Sequence, residues 1–187
     1  NAEKIIRQVN LDLERNLWTQ VSATGELSVK ETYLKRIEQF HGPPDRELSV
    51  AAELSRLQDS FAALAELPEN SQRQSLVVDQ AVDLANKIND LADLIQTSRN
   101  DAQDEIEETV DRVNGLLEEI AQLNGEIQQR AVFNETTASL EDKRDEAIKQ
   151  LSELVEISFF KRGDGVLVVQ TNDGIELASE FAQTLTF

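Results

Sequence analysis

The chain has 187 residues, enough for one domain with a real core or one elongated body with a small appendage, and an aromatic content of 5% with seven Gly and three Pro favours long helices over sheets. Its 36 Asp and Glu against 18 Lys and Arg give a formal charge of -18, which excludes a phosphate backbone or an anionic membrane as partner, because affinity for both comes from clustered Lys and Arg. The absence of Cys removes disulfides, thiolate metal sites and cysteine nucleophiles.

No apolar run reaches the ~20 residues of a bilayer crossing, and the first residues lack the basic-then-apolar order of a secretory signal. With no Met and with helical spacing present from the start, the chain reads as a fragment of a longer protein.

Ile6, Val9, Leu13 and Leu17 recur at three- and four-residue steps, predicting a helix to the Ser22 region that Gly25 ends. Val29, Tyr33, Ile37 and Phe40 repeat the spacing in a shorter helix, stopped by His41-Gly42-Pro43-Pro44. Ser49 is placed to cap a helix with the stripe Val50, Leu54, Leu57, Phe61 and Leu64, which Pro68 closes. Ser71 is placed to cap the next, whose stripe Val77, Ala81, Leu84, Ile88, Leu91 and Ile95 alternates steps of four and three as a heptad does.

The stripe resumes with Ala102, Ile106, Val110, Val113, Leu117, Ile120, Leu123 and Ile127, and no Pro follows Pro68. One continuous helix over 71–130 is predicted, on the order of 85–90 Å long at ~1.5 Å per residue. It cannot bury its apolar face alone and must pack on other helices, in the chain or in neighbouring subunits. The weak stretch Ser98-Arg99-Asn100 marks an exposed segment or a change of partner. Leu140, Ile148, Leu151 and Val155 predict one more helix, starting near Thr137 or Ser139 and folding back on the long one.

After Val155 the period falls to two, in Ile157-Ser158-Phe159-Phe160, Val166-Leu167-Val168-Val169 and Ile175-Glu176-Leu177, with Gly163-Asp164-Gly165 and Asn172-Asp173-Gly174 as hairpin turns. The expected fold is therefore mainly α: an elongated antiparallel helical bundle over 1–155 with one very long helix. A small antiparallel β-meander over 156–187 packs on it or leads into a further outer domain.

The motifs point away from catalysis. Asp104, Glu105, Glu107, Glu108 and Asp111 form a polar run on a helix surface, whereas acid-base chemistry needs two carboxyls in a pocket with pKa values pushed apart. His41 is the only histidine and sits beside Gly42-Pro43-Pro44, a loop setting. Asp164 and Asp173 lack the calcium-loop order, and no phosphate-cradling glycine motif is present. Arg162-Gly163-Asp164 spells an integrin-binding tripeptide, but this turn wants Gly and Asp in any case. Asn134-Glu135-Thr136 fits a glycosylation sequon, which carries weight only where that machinery exists.

Three stretches resemble a known family, the flagellar hook-associated protein of the first hook-filament junction. They are Ile37-Glu38-Gln39-Phe40 with Pro44, Asp45, Leu48 and Ser49, continued by Leu64-Ala65, Pro68, Arg73, Val78, Ala81 and Leu84-Ala85; Val113-Asn114, Leu117, Ile120-Ala121, Leu123-Asn124 and Ile127; and Leu140-Glu141-Asp142-Lys143-Arg144-Asp145 with Leu151-Ser152-Glu153-Leu154-Val155. The sequence departs from the pattern at Phe133-Asn134-Glu135-Thr136-Thr137, where the family carries Gly and Asn-Asp, and the family's apolar terminal segments are missing.

The resemblance implies a non-enzymatic structural adaptor without a cofactor. It would leave the cell through the flagellar type III export pathway and lie in the flagellum, outside the cell. Its partners would be the hook protein, the second hook-filament junction protein and further copies of itself in a helical tubular array, with no nucleic acid and no membrane. Without its terminal segments the fragment is expected to be monomeric or weakly associated in sedimentation.

The residues expected to carry packing or partner contacts are Ile106, Val110, Val113, Leu117, Ile120, Leu123 and Ile127, together with Arg144 and Asp145. Arg144 is expected to fork onto a carboxylate of the long helix and fix the register of the helical hairpin. The heptads alone are equally compatible with a cytoplasmic coiled-coil signalling or scaffolding rod that binds partner helices.

Overall fold

In a computed structural model of the chain, residues 11–42 and 49–187 are described. The described elements are α1 (Leu11–His41), α2 (Val50–Glu66), α3 (Ser71–Val132), α4 (Ala138–Leu154), β1 (Ser158–Lys161), β2 (Leu167–Gln170) and β3 (Glu176–Ala178). The fold is mainly α with one very long helix and a small antiparallel sheet. Ile6, Val9 and the Pro43-Pro44 turn lie outside the described residues.

Gly25 does not end the first helix: the two helices expected on either side of it are one, α1. Glycine inside a helix costs only about 1 kcal/mol against Ala, which tertiary packing overrides. Here the packing requires it, because a Cβ at Gly25 would stand 2.7 Å from the backbone oxygen of Glu153. The expected inward stripe is also displaced, since Leu13 and Leu17 are exposed, and among the described side chains of α1 the buried one is Trp18.

Ser49 caps α2 as the sequence indicates, its Oγ accepting from the Ala52 N–H at 3.1 Å. The cap of α3 is Asn70 rather than Ser71: the Asn70 Oδ1 accepts from the Arg73 N–H at 3.1 Å, and Ser71 is already helical. α3 ends at Val132, and just beyond it Asn134 takes φ 54 while the Glu135 N–H donates back to the Arg130 carbonyl, the left-handed stop that Asn tolerates.

The sheet has the order β1-β2-β3, both pairs antiparallel, with Phe159 opposite Val169 and a register irregularity at Val169/Gln170. Gly165 and Gly174 take φ 92 and 83 in the two connections, conformations a Cβ would penalise.

The contacts divide the chain into two compact units: the residues through Ser28 with Asp104–Phe187, and Val29–Gln103. The first contains the sheet, α4 and the C-terminal half of α3. Its core joins Trp18 and Phe159, with ring centroids 4.5 Å apart, to Val113, Leu117, Ile120, Ile148, Leu151 and Val169. A smaller cluster holds Leu123, Ile127 and Leu140. The second unit comprises α2 with parts of α1 and α3. There Arg36 pairs with Asp101 at 2.5 Å, and Lys87 lies 4.1 Å from the Phe40 ring centroid while donating to the Phe40 carbonyl in the last turn of α1.

Candidate functional site

The stripe singled out in the sequence splits along α3. Val113, Leu117, Ile120, Leu123 and Ile127 are buried against α4 and the sheet of their own chain, Val110 is half-buried, and Ile106 is exposed. The five buried positions are therefore occupied by intramolecular packing, and the structure does not bring Ile106 to them. Among the described residues, no group of His, Asp and Glu is placed to hold a metal ion, and no helix is long and apolar enough to cross a membrane.

Arg144 is buried, at 2% exposure, and the acceptor that α3 offers it is an amide rather than the expected carboxylate: its Nη1 donates to the Asn124 Oδ1 at 2.8 Å and to the Gly165 carbonyl at 3.3 Å. Asp145 beside it is half-buried. Asn124 is the centre of this node. Its Nδ2 donates to the carbonyls of Leu167 and Ser179 at 2.9 and 2.8 Å, and its Oδ1 also accepts from the Leu167 N–H at 3.1 Å. The amide thus takes the place of a ladder partner beside Leu167, where β3 has already left the pairing.

Ten residues earlier on α3, Asn114 uses the same device. Its Nδ2 donates to the Leu185 carbonyl at 3.0 Å and its Oδ1 accepts from the Leu185 N–H at 2.8 Å. Neither asparagine was evident as a functional residue from the sequence. A signal did exist at Asn124, because steps of three and four through Leu117, Ile120, Asn124 and Ile127 place a polar side chain in an apolar stripe.

The Arg162-Gly163-Asp164 turn is closed on itself. The Arg162 guanidinium donates to both Asp164 oxygens, Nη2 to Oδ2 at 2.6 Å, and also to Glu180. These contacts hold the Asp164 and Glu180 carboxyls below their usual range and raise the guanidinium above its own. The tripeptide therefore acts as a clamp between the β1–β2 turn and the segment after β3.

The sequence matches the family model for the helical domain of flagellar hook-associated protein FlgK over residues 34–186. The chain belongs to this family. All three stretches that resemble the FlgK pattern fall within the matched residues. Among solved structures, the flagellar hook junction protein FlgK from Burkholderia pseudomallei superposes with a TM-score of 0.77 over 88% of this chain, at 20% identity, a likeness of fold. The chain spans 28% of the length of that protein. No match was found among curated proteins. FlgK-family membership makes the chain a structural, hook-associated component of the flagellum and sets aside the signalling rod. In this FlgK helical domain the two asparagines and Arg144 hold the sheet and the C-terminal segment to the second half of α3.

Proposed function

We propose that this chain is the helical body of a structural adaptor at the hook-filament junction, needed for filament assembly. The observation that carries the reading is the FlgK helical-domain match across 34–186. It is supported by the fold shared with a protein described as a flagellar hook junction protein. The whole protein would reach the distal end of the hook through the flagellar type III export pathway and act there by packing, without catalysis or a cofactor.

Its partners in this reading are the hook protein on one side, the second junction protein on the other, and copies of itself in a tubular array, joined by head-to-tail contacts that continue along a helix. Assembly would draw on apolar surface that the chain leaves exposed, such as Ile106, at about 25 cal/mol per Å² buried. The inward face at Val113 and Leu117 is already filled by α4 and the sheet. Electron microscopy of cells lacking the gene, with flagellin assayed in the medium, tests this. Finished hooks without filaments and flagellin lost to the medium are expected, and normal filaments would refute the junction role.

A further inference from the structure

After β3 the chain folds back on itself. The Ser179 N–H donates to the Phe181 carbonyl at 3.1 Å, the Gln183 N–H donates to the Leu177 carbonyl at 2.8 Å, and Ala182 pairs antiparallel with Ala178. Residues 180–187 thus form a strap that lies where a fourth strand would, along the edge of the sheet at β3. The strap continues to α3, where Asn114 takes both backbone groups of Leu185. A bare strand edge offers unpaired N–H and C=O groups to any other chain, and the strap covers this one.

The strap is fastened differently from the residues that lead into it. Leu177, Ala178 and Ser179 are buried, and Asn124 holds the Ser179 carbonyl. Of the strap's own side chains, Ala182 and Leu185 pack on the core and are half-buried, whereas Phe181 and Phe187 are 78% and 69% exposed. With so little apolar burial the strap depends on polar ties, and segments of low burial open at a smaller free-energy cost than the core beside them. The tie at its start is the Arg162 guanidinium, whose Nε and Nη2 donate to Asp164 while Nη1 and Nη2 donate to Glu180. Asp164 also accepts from the Val166 N–H at 3.2 Å, so the β1–β2 turn sets the guanidinium in place for Glu180. A Lys ammonium, a point charge without the planar fork, cannot hold both carboxylates in this way.

We propose that residues 180–187 are a latched cover for the β3 edge: the strap opens about Ser179 while the sheet and α3 beneath it stay folded, and Arg162 is its catch. Opening frees the Leu177 carbonyl and the Asn114 amide, the groups that hold the strap's backbone. The catch therefore sets how often the domain presents an edge able to accept a strand.

Amide hydrogen exchange of the full chain, read by NMR, tests this. The Gln183 and Leu185 amides report the strap, and the buried Leu167 amide, held by Asn124, reports the sheet. In the unaltered chain the two strap amides are expected to exchange at least about tenfold faster than that of Leu167. Glu180→Gln leaves the Arg162–Asp164 turn in place, and Arg162→Lys keeps the charge but loses the fork. Each should speed the strap amides by about three- to fivefold and leave the Leu167 amide unchanged. One shared rate for strap and sheet amides, strap amides unmoved by either variant, or a Leu167 amide that quickens with them would each overturn the proposal.

Discussion

Asn124 is one side chain standing where a strand would otherwise be. Its amide serves the N–H and the carbonyl of Leu167 and the carbonyl of Ser179, and it receives the buried Arg144 guanidinium. In Asn124→Ala these groups lose their partner in a site closed to water, and each buried unsatisfied group costs roughly 1–3 kcal/mol. The expected destabilisation is about 3 kcal/mol or more in urea unfolding followed by circular dichroism. Asn114→Ala should cost distinctly less, because its partner Leu185 is half-buried and water can replace the amide. Equal and small losses at the two positions would show that the Asn124 node is incidental. The identity of Arg144 was legible in the sequence, but its partner was not. A carboxylate is the default expectation for Arg on a helix, whereas a buried guanidinium served by an amide and a carbonyl depends on three elements meeting in space.

At the scale of the element, the sequence is most informative where spacing and capping agree. The ends of α2, the length of α3, the turn-back into α4 and the three short strands all follow from apolar period, Pro68, Ser49 and the turn glycines. It misled at Gly25, where a helix-breaking residue sits mid-helix for a tertiary reason. This gives a prediction with a sign. By propensity, Gly→Ala in a helix stabilises by about 1 kcal/mol. Gly115→Ala should do so, since nothing lies within 4 Å of its Cβ position. Gly25→Ala should instead destabilise, by roughly 1–3 kcal/mol less the propensity gain, because its methyl meets the rigid backbone at Glu153 and not a side chain that can turn away. Thermal melts of the two variants should move in opposite directions, and a matching upward shift would mean that α1 and α4 approach less closely than described. The heptad of α3 was likewise half legible. Steps of four and three joined Val77 and Leu84 to Ala81 and Ile88 as one stripe, although the first pair turns inward and the second outward. Spacing identifies apolar rows but cannot say how wide a sector the neighbouring helices cover.

For the molecule as a whole, the two units differ in how they are held together. The large buried apolar side chains gather in the unit with the sheet, where Leu117, Ile120, Ile148, Leu151 and Val169 are fully enclosed. In Val29–Gln103, by contrast, Val77 and Ser60 are the buried side chains among the described residues, Leu84 and Leu91 are only half-buried, and polar and cation-π ties such as Arg36 to Asp101 and Lys87 over Phe40 add to that packing. Because α3 runs through both, one helix provides its own control: backbone hydrogen bonding is the same in kind along it, so differences in opening reflect tertiary burial. Native-state hydrogen exchange should find the amides of α3 over 113–127 at least about a hundredfold better protected than those over 78–95, a gap of ~3 kcal/mol that two buried Leu or Ile side chains suffice to produce. Uniform protection along α3 would mean that the helix opens only as a unit.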